Sequence, residues 1–240
     1  MSLYSRFAAC YEQVFPFREE VYGFLKNHAG ESGSAVLDIG CGSGHYCGRF
    51  GGEGYKAIGI DLDEVMIAEA GRHYPDASFL CLDMRSVKSA GSGFNCIYSI
   101  GNGLAHLHRN DLLPFIESVH GMLVPGGRWI MQVMNWDALL ALREYSFPEK
   151  PIKIAEDSAV FHRGYSSITT DSLSFSFALR YASGKELFAE KITLYPVTCR
   201  HYHHLHEVAG FRCSGQYSDF SMNPVRAVPG TGLVMVFEKC

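Results

Sequence analysis

The chain has 240 residues, of which 47% are hydrophobic and 19% charged, a balance typical of a folded globular protein rather than a disordered one. Its 21 Lys and Arg residues and 25 Asp and Glu residues give a formal net charge of −4, which disfavours nucleic acid as a partner. No run of about 18 apolar residues is present and the N-terminus lacks the apolar core of a signal peptide, so neither a membrane span nor secretion is expected.

The N-terminal segment, residues 1–30, is predicted to be helical. One helix ends before Pro16, and a second runs through "EEVYGFLKNHAG" to Gly30. The apolar positions of the first helix share one face: Phe7, Tyr11, Val14 and Phe15. We expect this segment to form a lid over a ligand site, with Tyr4 and Tyr11 pointing inward. An amphipathic helix that merely packs on the domain fits the same pattern.

Residues 31–157 are predicted to form an α/β core. Five apolar runs indicate strands, and helical patterns at 63–74 and 112–123 alternate with them. The predicted strands are "SAVLDIG" (34–40), "KAIGID" (56–61), "ASFLCLD" (77–83), "FNCIYSI" (94–100) and "GRWIMQVM" (127–134). Such alternation is typical of a doubly wound parallel sheet, and nearly continuous apolar runs indicate that both of its faces are covered.

The pattern changes after the fifth strand. Alternating residues and turn sequences at "TTDS" and "ASGK" predict a three-stranded antiparallel insertion over 158–197. Residues 198–240 return to the core, with a helix over 198–209 that Thr198 caps and with strands at 211–217 and 232–239.

The loop after the first predicted strand contains three closely spaced glycines, Gly40, Gly42 and Gly44. In open α/β sheets ligands bind at the carboxyl ends of the strands, and glycines let the backbone approach a ligand closely. The spacing does not fit the dinucleotide fingerprint G-x-G-x-x-G, because the third glycine position is His45. The loop is therefore either a plain βα turn or part of a different nucleotide site.

Acidic residues end three successive strands: Asp38, Asp61 and Asp83. A buried carboxylate needs donors, and a nucleoside supplies them. The two oxygens of Asp61 suit a pair of ribose hydroxyls, and Asp83 suits the amino group of an adenine. For either residue alone, capping of the following helix is a comparable explanation, but the three together with the loop indicate a nucleoside pocket.

These segments also carry a family resemblance. "VLDIGCGSG", "GIDLDEVMIAEA", "FLCLDM", "FNCIYSIGNGLAHL" and "LVPGGRWIM" are similar, in order and spacing, to the successive motifs of class I S-adenosylmethionine-dependent methyltransferases. The resemblance covers about residues 34–135. It implies a Rossmann-like sheet of seven strands with an antiparallel last strand, and S-adenosylmethionine as cofactor.

The resemblance implies a role for individual residues. The glycines would line the methionine part of the cofactor, Asp38 would lie near its ammonium group, and Asp61 would hold the ribose. The complete set of implied cofactor contacts is Tyr11, Asp38, Gly40, Cys41, Gly42, Gly44, Asp61, Leu62, Met66, Asp83, Met84, Ser99 and Ile100.

The acceptor side is less defined. "SIGNGLAHL" (99–107) and "NWD" (135–137) look like the corresponding segments of glycine and sarcosine N-methyltransferases, and less closely like those of amino-sugar N-methyltransferases. This resemblance implies methylation of an amine, with His106 orienting or deprotonating it and with Asn102 and Asn135 as polar contacts. His106 could equally be a helix-start residue bonded to the backbone.

We therefore expect an enzyme that methylates a small molecule, most simply at nitrogen. An O-methyltransferase, a catalytically silent nucleoside-binding relative and a nicotinamide dehydrogenase are the alternatives, although the glycine spacing disfavours the dehydrogenase. No metal site is expected, because "HYHHLH" (201–206) offers paired histidines without a third ligand. Eight cysteines without a CxxC pair favour a reducing compartment, and we expect a cytoplasmic protein.

Overall fold

Strands and helices alternate through the first half of the chain, as predicted. A computed structural model describes residues 11–154 and 157–240. Its first half contains α1 (Tyr11–Val14), α2 (Glu19–Ala29), β1 (Ala35–Ile39), α3 (His45–Gly52), β2 (Lys56–Asp61), α4 (Glu64–His73), β3 (Ser78–Cys81), a 3-10 helix (Met84–Ala90), β4 (Phe94–Ser99), a second 3-10 helix (Gly103–His106), α5 (Arg109–Met122) and β5 (Leu123–Met134).

The second half is richer in antiparallel strands. It contains α6 (Trp136–Leu139), β6 (Tyr145–Ser146), β7 (Lys150–Ile154), β8 (Asp157–Ser166), β9 (Leu173–Tyr181), β10 (Glu186–Leu194), α7 (Cys199–Val208), β11 (Phe211–Tyr217) and β12 (Gly232–Lys239). The last two strands and the helix before them lie where the sequence predicts them, and the Thr198 hydroxyl accepts a hydrogen bond from the His201 amide as the N-cap of α7.

The main sheet has seven strands in the order β11-β12-β5-β4-β1-β2-β3. β1 to β5 are parallel, whereas β12 runs antiparallel to both of its neighbours, β5 and β11. This arrangement confirms the predicted Rossmann-like sheet with an antiparallel last strand. It also places the carboxyl ends of β1, β2, β3 and β4 along one edge.

Apolar layers cover both faces of this sheet. One layer, under α5 and α7, is centred on Trp129, Leu37 and Ile97, and the other, under α2 and α3, contains Phe50 and Tyr98. Burial on both faces explains why the strand sequences are almost continuously apolar. The central strands are therefore a rigid base for the loops at their carboxyl ends.

The insertion forms a second, antiparallel sheet of five strands. Its turns fall at the two predicted turn sequences, but β6 and β7 lie before the predicted start at residue 158. These two short strands pair with β8 and were missed because they are brief and interrupted by Pro148 and Pro151. The predicted division of the chain into four segments stays a prediction.

One face of the second sheet packs on α1 and on the segments that follow β4 and β5. Val14 of α1 lies among Phe161 and Phe177, while Trp136 and Ala105 lie among residues such as Tyr165. The predicted break in the N-terminal helix is confirmed before Pro16. The predicted positions of Tyr4 and Phe7 lie outside the described residues.

The helix α3 follows the glycine loop and has no counterpart among the predicted elements. Its sequence, "HYCGRFGG", contains three glycines, which disfavour a helix by propensity. Two of them are required by close packing: a Cβ on Gly48 would lie 2.1 Å from Cγ of Tyr74, and one on Gly51 would lie 2.6 Å from the Asp76 carbonyl oxygen. Tertiary contact therefore outweighs local propensity in this helix.

We predict that Gly48→Ala destabilises the protein by about 1–3 kcal/mol, because the added methyl group overlaps the root of the Tyr74 ring, which cannot swing away. Gly52→Ala is the matched control in the same helix, where no atom lies within 4 Å of the new Cβ. Urea unfolding of both variants measures the difference. Equal stabilities of the two variants would contradict the packing of α3 against Tyr74.

Candidate functional site

The loop after β1 adopts a backbone that only glycine tolerates without strain. Gly40, Gly42 and Gly44 have φ angles of 78°, 54° and 79°, all in the left-handed region. The amides of Gly40 and Cys41 donate to the Ile60 carbonyl oxygen on β2, which anchors the loop to the neighbouring strand. No described atom lies within 4 Å of a Cβ built on Gly40, so the loop leaves open space there.

Asp38 is the buried acid of the site. It lies on β1 just before the loop, is 2% exposed, and its Oδ1 atom has no hydrogen-bond partner in residues 11–154 and 157–240. Burial raises the pKa of this carboxyl to about 8, an increase that the neighbouring Tyr98 hydroxyl partly offsets and the charge of Asp61 reinforces. The carboxyl group therefore keeps its proton near pH 7, and a cationic ligand group beside it would favour the ionised form.

Asp61, at the end of β2, holds the glycine loop in place. Its Oδ2 accepts from the Gly42 amide at 2.9 Å and its Oδ1 accepts from the Asp63 amide at 3.0 Å. Burial raises its pKa, and these backbone hydrogen bonds counteract part of that increase. Each oxygen keeps a lone pair, so the carboxylate can still accept from a pair of hydroxyl groups.

Asp83, after β3, lies nearer the surface. Its carboxylate accepts from the Arg85 amide as the cap of the following 3-10 helix and pairs with the Arg85 guanidinium. These hydrogen bonds from Arg85 lower the pKa of Asp83. Both explanations drawn from the sequence, capping and ligand contact, are therefore compatible with this position. Met84 beside it is half-buried, and Leu62 is 66% exposed, which is unusual for a leucine and leaves an apolar surface uncovered.

The end of β4 contributes a second unpartnered oxygen. The Ser99 side chain is fully buried, and its Oγ makes no hydrogen bond in the described part of the chain. Ile100 follows it and is half-buried. The side chains of Cys41 and Met66 are buried.

The helix α1 lies over the glycine loop. A Cβ on Gly42 would come within 2.8 Å of the Tyr11 hydroxyl, so the absence of a side chain at Gly42 makes room for this aromatic ring. The Ser43 hydroxyl donates to Glu12 Oε1 at 3.2 Å. The predicted lid thus contacts the loop through Tyr11 and Glu12.

Two predicted acceptor contacts are engaged with the backbone. Asn102 has a left-handed φ of 70°, and its Oδ1 accepts from the Met134 amide at 2.9 Å. Asn135 is 2% exposed, and its Nδ2 donates to the Arg226 carbonyl oxygen at 2.9 Å. Both side chains join the segments after β4 and β5 to their surroundings, which shapes this end of the site.

His106, the predicted catalytic residue, lies at the end of the second 3-10 helix and is exposed. The surrounding protein atoms partly desolvate its imidazole and lower its pKa below the usual value of 6.5. An accessible imidazole that is neutral at pH 7 can accept a proton.

The histidines of α7 are divided between the core and the surface. His206 is fully buried, stacks on Phe237 at 3.7 Å, accepts from the Trp129 indole at 2.9 Å, and has a pKa lowered by burial to about 3. This residue is thus part of the core. Among the described residues, no group of three or more His, Cys, Asp or Glu side chains could hold a metal ion.

Three features of the site were missed from the sequence. Tyr98 borders Asp38 because β1 and β4 pair in register, and Glu12 reaches Ser43 across 31 residues. Asp63 caps α4 by accepting from the Val65 and Met66 amides. Only Asp63 had a local signal, since an Asp directly before a helical pattern is a typical N-cap.

Residues 36–127 match a family described as a methyltransferase domain. A tRNA U34 carboxymethyltransferase of Alcanivorax borkumensis is 32% identical over 42% of this chain and 33% of its own length. A malonyl-[acyl-carrier protein] O-methyltransferase of Enterobacter lignolyticus is 29% identical over 60% of each chain, and a glycine N-methyltransferase of Oryctolagus cuniculus is 24% identical over 52% of this chain and 48% of its own. The chain thus spans about a third to three fifths of the length of these relatives.

Solved structures resemble the whole chain in fold. The CcbJ methyltransferase of Streptomyces caelestis superposes with a TM-score of 0.79 at 15% identity, over 98% of this chain and 96% of its own. A structure of an amino pentose methyltransferase of Micromonospora echinaspora with S-adenosylmethionine bound has a TM-score of 0.76 at 16% identity, over 100% and 98%. The predicted resemblance to class I S-adenosylmethionine-dependent methyltransferases is therefore confirmed for the matched domain, and its fold extends over the chain. Within the described residues, no helix is long and apolar enough to cross a bilayer.

The raised pKa of Asp38 predicts a specific pH dependence of stability. Between about pH 4 and pH 8 the folded protein keeps a proton that the unfolded chain, with a pKa of 3.8, has lost. Raising the pH through this window therefore favours the unfolded state, by at most about 1.4 kcal/mol per pH unit.

We expect the stability of Asp38→Asn relative to wild type to rise across that window and to level off above pH 8. Urea unfolding of both proteins at several pH values measures this difference in stability. Asp171→Asn, which removes a carboxylate that is 87% exposed, controls for the loss of one formal charge. A constant difference between Asp38→Asn and wild type would contradict the burial of Asp38.

Proposed function

We propose that this chain, whose residues 36–127 are a methyltransferase domain, transfers a methyl group from S-adenosylmethionine to an amine of a small molecule. When bound, S-adenosylmethionine supplies an electrophilic methyl group on a cationic sulfur. The observation that carries the proposal is a pair of buried oxygens without partners, Asp38 Oδ1 and Ser99 Oγ, at the carboxyl ends of two adjacent strands beside the glycine loop. Nothing in the described fold satisfies these oxygens, and a cationic ligand with hydrogen-bond donors would do so.

The residues around the loop fit the parts of this cofactor. Asp38 would accept from its ammonium group, and the open space at Gly40 admits its methionine portion. Asp61 retains acceptor capacity for the ribose hydroxyls. The exposed Leu62 and the half-buried Met84 offer apolar contacts to the adenine, and Asp83 would accept a hydrogen bond from the adenine amino group. The contacts of Cys41, Gly42, Gly44, Met66, Ile100 and Tyr11 with the cofactor are part of the same proposal.

His106 fits the proton transfer that an amine acceptor requires. An amine attacks through its lone pair once neutral, so the enzyme needs only to remove or accept one proton. The imidazole of His106 is accessible and has a lowered pKa, so it is neutral and able to accept that proton at pH 7. Asn102 and Asn135 would position the acceptor indirectly, because their amides hold the backbone of the two segments that border it.

The second sheet supports a small acceptor. It packs on α1 and on the segments after β4 and β5, and thereby covers the edge where the acceptor must enter. Oxygen methylation and a nucleic-acid acceptor are the alternatives, since the relatives include an O-methyltransferase and a tRNA-modifying enzyme. The matched tRNA enzymes share only part of their length with this chain, and its formal charge of −4 favours a small acceptor over RNA.

Cofactor binding is the first test. We expect calorimetry to detect binding of S-adenosylhomocysteine and none of NAD. Asp61→Ala should weaken the binding at least about tenfold, on the order of 1.4 kcal/mol, because the variant loses the ribose contact and releases the Gly42 amide. Asp76→Ala, at an exposed position, is the control. Binding of NAD without S-adenosylhomocysteine would overturn the proposal.

Methyl transfer is the second test. A screen with radiolabelled S-adenosylmethionine over amines, hydroxyl compounds, thiols and tRNA should label an amine. For that amine, His106→Gln should lower kcat by about 100-fold or more and leave the affinity for S-adenosylhomocysteine unchanged. Wild-type kcat should stay level as the pH falls to 6.5 and decrease only below it, since the pKa of His106 is lowered. His204→Gln, on the exposed face of α7, is the control; label on oxygen or on tRNA alone would refute amine methylation.

A further inference from the structure

The helix α1 connects the second sheet to the glycine loop. It is a single turn of four residues, and its side chains face different parts of the molecule. Gln13 and Val14 lie against the second sheet, whereas Glu12 and the hydroxyl group of Tyr11 lie against the loop after β1. The helix therefore links the glycine loop of the proposed cofactor site to the sheet that covers it.

The attachment of α1 to the second sheet is extensive. The Gln13 side chain accepts a hydrogen bond from the Lys153 amide and donates one to the Lys153 carbonyl oxygen, both at 2.9 Å, so it pairs with β7 much as a further strand would. Val14 is fully buried in the apolar cluster of the second sheet, and its carbonyl oxygen accepts from the Lys150 ammonium. Apolar burial and reciprocal hydrogen bonds thus hold this side of the helix.

The polar attachment of α1 to the glycine loop is slight. The Ser43 hydroxyl donates to Glu12 Oε1 at 3.2 Å, and the Glu12 side chain is 58% exposed. The Nδ1 atom of His45 lies 4.0 Å from the same oxygen and makes no hydrogen bond in residues 11–154 and 157–240. A single hydrogen bond to a carboxylate that water can reach contributes little, so this side of α1 is the more easily released.

The surroundings of Glu12 leave room for this contact to open. A cavity of about 610 Å³ borders Glu12, Phe17 and His45 and extends along α3 to Tyr74. The Glu12 carboxylate can therefore withdraw from the loop without displacing packed side chains. Ser43 itself is buried where it donates to Glu12, so α1 shields this part of the loop from water while the contact holds.

The chain crosses from the second sheet to the core directly after α1. Phe15 packs on the apolar cluster of the second sheet, and Phe17 packs on Tyr46 of α3 with ring centres 5.0 Å apart. The Arg18 amide donates to the Tyr46 hydroxyl at 3.2 Å, which fixes the following chain to α3. Pro16, between the two phenylalanines, therefore marks the junction at which a movement of α1 with the second sheet would be absorbed.

We propose that Glu12 is a positioning residue that fastens α1 to the glycine loop, and that the cofactor site opens between Glu12 and Ser43 while α1 stays on the second sheet. This inference rests on the proposed function, because it takes the glycine loop as the place of the cofactor. His45 Nδ1 lies just beyond hydrogen-bond distance of Glu12, so a slightly closer approach of α1 would let its N–H tautomer donate to the same carboxylate.

Hydrogen exchange tests the opening in the protein without cofactor. In Glu12→Ala we expect the amides of residues 40–47 to exchange at least about threefold faster than in wild type, and the Lys153 amide, which donates to Gln13, to keep its rate. Gln13→Ala should accelerate exchange at Lys153. Glu19→Ala, which removes an exposed acid of the same cavity, is the control. Unchanged exchange of the loop in Glu12→Ala, or faster exchange at Lys153 in that variant, would overturn the inference.

The release rate of radiolabelled S-adenosylhomocysteine tests the effect of Glu12 on the cofactor. In a chase experiment we expect release to be about 3- to 10-fold faster from Glu12→Ala, with an association rate constant that does not fall. Ser43→Ala should also accelerate release, and the double variant should release no faster than the faster single variant, because both changes break one contact. Glu12→Gln, whose amide oxygen still accepts from Ser43, should restore part of the slow release.

The outcomes separate this inference from the proposed function. Additive effects of Glu12→Ala and Ser43→Ala would reject the fastening, as would slower association in Glu12→Ala, which indicates general damage to the fold. If wild type binds S-adenosylhomocysteine and Glu12→Ala releases it at the same rate, the fastening is wrong and the proposed function stands. If wild type does not bind S-adenosylhomocysteine, the proposed function fails, and hydrogen exchange alone decides whether α1 opens at Glu12.

Discussion

A carboxylate buried at the end of β1 is the constraint around which the site is arranged. Asp38 is 2% exposed, one of its oxygens has no partner in the described chain, and its pKa is raised to about 8. An apolar residue there would stabilise the fold better. The glycine loop follows directly, and Asp61 holds that loop to β2 through the Gly42 amide. The buried carboxyl of Asp38 thus lowers the stability of the fold, and a cationic ligand bound beside it would offset that loss.

On the second sheet, Arg163 is a cation with few polar neighbours. Its guanidinium is half-buried among aromatic rings and has no acidic partner in residues 11–154 and 157–240, while Arg180 forms an ion pair at the surface. The N-terminal segment contacts both sheets, because Tyr11 of α1 lies against Gly42 and Phe15, directly after α1, lies against the Arg163 guanidinium.

Much of the fold was predictable because local patterns and tertiary contacts agree in the main sheet. β2, β11 and β12 have the predicted bounds, and the turns of the second sheet fall at the predicted sequences. Prediction failed where the local sequence pattern and the tertiary contacts disagree. The glycines of α3 oppose a helix locally but admit Tyr74 and the Asp76 carbonyl at close range, and His206 appears polar in the sequence yet lies in the core beside Trp129.

The sequence by itself determined the strands of the main sheet, the glycine loop and the acids at the strand ends, because periodicity, turn residues and strand-end positions are properties of neighbours in the chain. Tertiary structure alone decided which of these groups have partners. Asp38 lies beside Tyr98, Glu12 accepts a hydrogen bond from Ser43, and Arg163 lies over the ring of Phe15, which is 148 residues away in the chain. A group's burial and its partners depend on distant segments that pack around it, so no local pattern could show that one oxygen of Asp38 has no partner among the described residues.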